Sequence, residues 1–260
     1  MSGDDFYDVL FEFSNEERVK ILETLTQRRS NFSELARTLN ITTQEVSRHF
    51  NRLVESGVAT RNTDGHPCLT PYGLMLLRQL RAIRFTTGNR GYFESHDASF
   101  LPDEFTVRLG ELRAMRYTDD VMVAIHNCSR IIQEANEYVL DISLPYISTV
   151  FPHIKAAYER GVKGMFLRGA NLRVPDEMKP QREDFLPEEY ISHVRSEGIL
   201  QDRYLETDVI LYMNEKEVGL LSFPTLNESY DYRGFTGKDP AALKWCRDLF
   251  YHYWEQGTKQ

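Results

Sequence analysis

Two domains of different class are predicted from this sequence. Residues 1–90 read as an α+β module of helices closed by a hairpin, and residues 91–260 as an α/β domain with a mixed sheet and a βαβ unit. Three observations predict them. Apolar residues recur at helical spacing from residue 15 and give way, after Gly57, to two short extended runs about an Asp-Gly step. Strand and helix patterns alternate from about residue 129 onward. The charge also divides: residues 14–90 carry 12 Lys or Arg against 7 Asp or Glu, whereas residues 91–260 carry 19 against 28.

In the first module, Asn15 begins a run with Val19, Ile21, Leu22 and Leu25 on one face, and Ser14 or Asn15 can cap it. Ser33 is the expected cap of a short second helix, Glu34 to Leu39, with Asn40 in its final turn. Thr42 or Thr43 caps a third helix, with Glu45 as the capping-box acid if Thr42 is the cap. Gly57 terminates that helix. Val58 to Arg61 and His66 to Thr70 flank Asn62-Thr63-Asp64-Gly65, a strong hairpin signal. Pro71 opens a further helix carrying Leu74, Leu77, Leu80 and Ile83. Three helices and a hairpin make a winged helix-turn-helix.

The third helix divides as a DNA-reading helix must. Val46, Phe50 and Leu53 form an apolar stripe, while Gln44, Ser47, Arg48 and Asn51 share the other face, with Thr43 at its start. Arg can pair bidentately with guanine, and Gln or Asn with adenine. Arg52 joins this set, and Arg61 and His66 flank the wing turn, where backbone or minor groove would lie. Double-stranded DNA is the expected partner.

The run Phe32 to Leu53, FSELARTLNITTQEVSRHFNRL, resembles the reading unit of arsenic-repressor-type archaeal and bacterial winged-helix regulators. Leu69-Thr70-Pro71-Tyr72-Gly73 is similar to the wing exit of archaeal members. Metal-sensing members carry clustered Cys and His on a helix; residues 14–60 hold His49 alone. Phe93 to Pro102, with Arg108 to Leu112, resembles archaeal regulators of the methanogenesis-regulator family. That resemblance implies a C-terminal sensor domain, joined here around residues 86–92.

The remaining residues alternate. Asp103 to Leu112 and Ser129 to Glu137 read as helices, and Tyr138 to Ser143 as a strand. Ile147 to Arg160 reads as a helix stopped by Gly161, and Lys163 to Leu167 as a parallel strand. After a charged stretch (residues 173–190) come strands Arg203 to Leu205, Val209 to Met213 and Val218 to Phe223, the last two joined at Asn214 to Glu217. Ala241 to Glu255 is a closing aromatic helix. The arrangement is similar to a half-unit of the phospholipase-D-like fold. That fold's catalytic signature is a His, a Lys two on, and an Asp five beyond. His153 and Lys155 meet the first two terms, but Arg160 stands in the Asp position, and the triplet lies in a helix pattern. No glycine-rich phosphate loop, GxSxG or HExxH is present. His126 and Cys128 lack two further metal ligands. No enzyme activity, cofactor or metal is expected. If this domain binds a small effector, an open sheet does so beyond the carboxyl ends of its strands, which points to Ser143, Arg168 and Asp208.

Composition agrees with a globular chain: 41% hydrophobic, 27% charged, net charge −8. The apolar run Val121 to Ile125 falls far short of the roughly 20 residues a membrane span needs. The acidic start, Met1-Ser2-Gly3-Asp4-Asp5, does not suit a signal peptide, and three scattered cysteines (Cys68, Cys128, Cys246) do not make a disulfide framework. The expectation is a cytoplasmic transcriptional regulator, a homodimer on near-palindromic DNA, with the helix Pro71 to Phe85 joining or relaying. A winged helix used for protein contacts, or a phosphodiesterase-like enzyme, are the alternatives.

Overall fold

The computed structural model describes residues 4–143, 147–169, 176–227 and 229–259. The chain divides into two compact units, Met1–Arg81 and Ala82–Gln260, so the division falls inside a helix and ahead of the 86–92 joint that polar residues suggested. No helix among the described residues is long and apolar enough to cross a membrane.

The first unit opens with a helix that the sequence pattern did not announce, α1 (Asp4–Phe13). Next come α2 (Glu16–Gln27), α3 (Phe32–Leu39), α4 (Thr43–Glu55), the strands β1 (Ala59–Arg61) and β2 (Pro67–Leu69), and α5 (Pro71–Gly88), which ends in the second unit. Asn15 caps α2, its side chain accepting from the Arg18 N–H. The cap of α3 is Asn31 and not Ser33. Asn31 accepts from the Glu34 N–H and Glu34 reaches back to the Asn31 N–H, a reciprocal pair that starts the helix earlier than expected. Thr42 and Glu45 form the same box on α4. Ile21, Leu22, Leu35, Val46, Phe50, Leu53 and Val58 are fully buried together, the core that three amphipathic helices and the wing share.

The second unit contains α6 (Arg90–Phe93), α7 (Asp103–Thr106), β3 (Arg116–Thr118), α8 (Val121–Glu134), β4 (Tyr138–Ile142) and α9 (Phe151–Glu159). β5 (Lys163–Arg168), α10 (Lys179–Phe185), α11 (Glu188–Ser196), β6 (Leu200–Tyr204), β7 (Ile210–Asn214), β8 (Val218–Ser222), β9 (Gly234–Gly237) and α12 (Pro240–Gln256) follow. The expected helix Asp103 to Leu112 is α7 plus a separate 3-10 turn, Leu109–Leu112. The helix expected at Ser129 to Glu137 starts earlier, where Asp120 caps Met122 and Val123. Of the charged stretch 173–190, residues 173–175 lie outside the described residues; the rest is largely helical.

One mixed sheet of seven strands, ordered β3-β9-β8-β7-β4-β5-β6, organises this unit. β4, β5 and β6 run parallel and the other pairings are antiparallel, so the expected βαβ unit stands at β4-α9-β5. Alternation divides the strands between two cores. Leu140, Ile142, Leu211 and Met213 face α12 residues Trp245, Leu249 and Phe250. Val139, Ile210 and Tyr212 face α8 (Cys128, Ile131), α9 (Ala157, Tyr158) and α11 (Ile191, Val194). Burial on both faces explains why these strands read as apolar runs.

Candidate nucleic-acid interface

The capping box fixes where α4 begins, and its apolar stripe fixes how it is rotated. With Val46, Phe50 and Leu53 at 0% exposure, the opposite stripe has to face outward. Thr43, Gln44, Arg48 and Asn51 are exposed and Ser47 is half-buried. None of these five side chains makes a hydrogen bond or ion pair among the described residues, so α4 presents a row of unengaged donors and acceptors. His49 lies on the flank. Its Nδ1 is buried without a hydrogen-bond partner among the described residues, and burial, aided by the charges of Arg48 and Arg18, holds the imidazole below its ordinary pKa.

The wing is built from its own turn. Asn62 Oδ1 accepts from the backbone N–H groups of Asp64 and His66, the Asn62 N–H donates to the His66 carbonyl, and Gly65 takes a φ of +79°. His66 is exposed. Arg61 is exposed too, but it is braced: its guanidinium carbon stands 4.8 Å from the Phe32 ring centroid and 5.7 Å from that of Phe50, and Nη1 donates to the Gly65 carbonyl. Arg61 therefore links the wing to Phe32 of α3 and Phe50 of α4.

Arg52 does not share the freedom of its neighbours. Its Nη2 lies 2.7 Å from Glu12 Oε1, so the residue grouped by sequence with the DNA contacts is held by α1. Glu12 is the residue that sequence reasoning missed. It looks like one acid among four in an acidic start, and only the fold reveals that it is buried.

In the second unit, the β4/β5 register, Ile142 opposite Leu167, sets Ser143 and Arg168 side by side at one sheet edge. The Ser143 N–H donates to the Leu167 carbonyl, its φ is +52°, and its Oγ is buried with no hydrogen-bond partner among the described residues. Arg168 stacks on Phe166 and its Nε donates to Asp202. Asp208 is exposed and precedes β7, whose Leu211 pairs with Ile142, so it belongs to the same edge. His153 and Lys155 lie on α9: His153 contacts Gln133, and Lys155 sits over the Tyr190 ring. No metal-ligand group occurs among the described residues.

The α2–α4 geometry and the start of the wing coincide with a family match. The model of the arsR family of bacterial regulatory proteins covers residues 15–61. The match ends at β1, inside the wing. Among solved structures, the chain is similar to TrmBL2, an archaeal chromatin protein, with 18% identity over all of both chains and a TM-score of 0.44. It is also similar to Nuc of Salmonella typhimurium, a phospholipase D family member (11% identity, 56% of this chain and 95% of that one, TM-score 0.38). A third similarity is to an O-methyltransferase family protein from Burkholderia thailandensis (11% identity, 78% and 62%, TM-score 0.28). No curated protein gives a significant match.

Proposed function

We propose that this chain is a non-enzymatic, sequence-specific DNA-binding transcriptional regulator, with Thr43, Gln44, Ser47, Arg48 and Asn51 reading bases and Arg61 and His66 on the wing. The observation that carries the reading is the unengaged polar face of α4, set opposite a fully buried stripe within an arsR-type domain. Side chains with no internal partner at this density suit base edges, which offer paired donors and acceptors. Selection of bound sequences from random duplex DNA, followed by footprinting, tests it; retention that does not depend on salt would count against it.

The regulator acts as a two-fold dimer. Phe6, Tyr7, Leu10 and Phe11 on α1, with Tyr72 and Met75 at the start of α5, leave large apolar surface in water, which supports association between copies. The second unit, taken as the signal-sensing domain, binds a small effector at the sheet edge that carries Ser143, Arg168 and Asp208. The Ser143 Oγ, buried and without a partner among the described residues, supports that placement. Thermal shifts across a metabolite library, repeated on Ser143→Ala, test the effector reading, and analytical ultracentrifugation tests the dimer.

A further inference from the structure

Glu12 sits at the end of α1 with two arginines on one carboxylate. Arg18 is buried beside it, Nε 3.0 Å from Oε2, and also donates to the Phe11 and Glu12 carbonyls. Arg52 approaches from α4, with Nη2 2.7 Å from Oε1 and Nε 3.3 Å from both oxygens. Glu12 is 8% exposed in its side chain and Arg18 7%, whereas Arg52 is 47% exposed. Both guanidinium groups lie over the Phe11 ring, at 5.5 Å and 5.6 Å from its centroid.

The inner arginine already supplies a buried counter-charge. A buried carboxylate requires a cation, and Arg18 supplies it at 3.0 Å while its own N–H groups donate to the Glu12 and Phe11 carbonyls at the end of α1; the hydrogen bonds to the carboxylate itself come from Arg52. Arg52 is a second cation on the same anion, so the cluster carries one excess positive charge. Arg52 also follows Arg48 by one helical turn, adjoining the exposed reading stripe. The forked grip of its Nε and Nη2 on a carboxylate is the grip arginine uses for phosphate. Asp5, Asp8 and Glu55 line the same groove of about 560 Å³, which adds negative charge around the guanidinium.

We propose that Glu12 is an internal stand-in for a DNA phosphate. It occupies Arg52 and so sets the protein's DNA affinity below what the reading helix could reach. This rests on the DNA-binding reading above. Neutralising Glu12 removes the carboxylate that Arg52 grips, and Arg52, the exposed one of the two arginines, is freed to reach the duplex backbone.

The test is binding of the full chain to a mixed-sequence 30-base-pair duplex (a length of about three helical turns) over a salt series, for wild type, Glu12→Gln, Arg52→Gln and the double variant. Expected is a wild-type slope for Arg52→Gln and a slope steeper by about 0.9 for Glu12→Gln, which is about a 3.5-fold greater loss of affinity for each 4-fold rise in salt. The double variant returns to the wild-type slope. A Glu12→Gln slope equal to wild type overturns the proposal. So does a flatter slope for Arg52→Gln alone, because Arg52 would then already hold a phosphate. Should Glu12→Gln not fold, Glu12→Asp keeps a charge for Arg18 but draws it back from Arg52; a smaller steepening supports the proposal and none overturns it. Wild type that binds no DNA fails at the first measurement, and that result removes the DNA-binding reading itself, whatever the variants do.

Discussion

Gly73 lies directly against the backbone of Val58: a Cβ on Gly73 would stand 2.0 Å from the Val58 carbonyl oxygen and 2.8 Å from its carbonyl carbon. The same carbonyl accepts from the Thr70 N–H, and Thr70 Oγ1 donates to Gly57 and receives the Gly73 N–H. This knot gives a physical reason for the Thr-Pro-Tyr-Gly run after the wing. Thr70 ties the wing exit to the end of α4, Pro71 starts α5, and only Gly lets the first turn of α5 close onto the chain leaving α4.

Gly73→Ala therefore runs against the usual helix preference. Alanine in a helix gains up to about 1 kcal/mol over glycine, but the obstacle here is backbone and cannot swing aside. A net loss of roughly 1–3 kcal/mol is expected from overpacking. Denaturant unfolding of the full chain measures it, and a variant as stable as wild type would mean that the approach of Gly73 to Val58 is looser than described.

Arg48 makes no hydrogen bond or ion pair among the described residues and stands in the middle of the exposed stripe of α4. Arg48→Ala should cost about 1–3 kcal/mol on the selected site and relax base preference at one position, with little change in stability. Repeating the selection with the variant checks this. Unchanged base preferences would remove Arg48 from the reading set.

Arg61 performs two tasks that substitution can separate. Arg61→Ala should weaken binding to all duplexes alike and flatten the salt slope by about one unit. Arg61→Lys keeps the charge but loses the planar stack on Phe32 and Phe50, so it should retain most of the slope and lose roughly 0.5–1 kcal/mol of stability. Equal slopes for wild type and Arg61→Ala would leave Arg61 as a brace only.

In the second unit, Glu217 is buried and grips both Nη atoms of Arg130, at 2.5 Å and 2.6 Å, with Lys238 at 3.2 Å. Burial raises the carboxyl pKa, but the hydrogen bonds and charges of Arg130 and Lys238 outweigh it and hold the group below its ordinary value. A depressed folded pKa stabilises fully above the unfolded value of about 4.5 and loses that contribution as pH falls through the lower folded value. Glu217→Gln should thus be less stable by roughly 2–3 kcal/mol at neutral pH, reduced from the roughly 3–5 kcal/mol for breaking a fully buried pair because Arg130 is a quarter exposed. The gap should narrow as pH falls below about 4.5 and through the lower folded value. A gap that stays constant across that range would show that the carboxylate charge is not what stabilises β8 against α8.

The sequence by itself determined the first module in detail: α2, α3 and α4, the Asp-Gly wing, and which face of α4 is bare. Those features are written in local code. Apolar spacing, capping side chains and a turn dipeptide act over four residues or fewer, and each agrees with the others. In the second unit the parallel pair β4-β5 and the hairpin β7-β8 were legible for the same reason. The short strands β3 and β9 were not, because three or four residues make no alternation and their pairing, Tyr117 with Phe235, spans more than 100 residues of chain. Tertiary structure alone decided which arginine of α4 is free. Arg48 and Arg52 are the same residue one turn apart, and nothing in their surrounding sequence separates them. The separation comes from Glu12, 40 residues before Arg52, which the fold buries beside Arg18 and so turns from a solvated acid into a strong partner for a cation, since a charge removed from water must find its counter-charge within the protein.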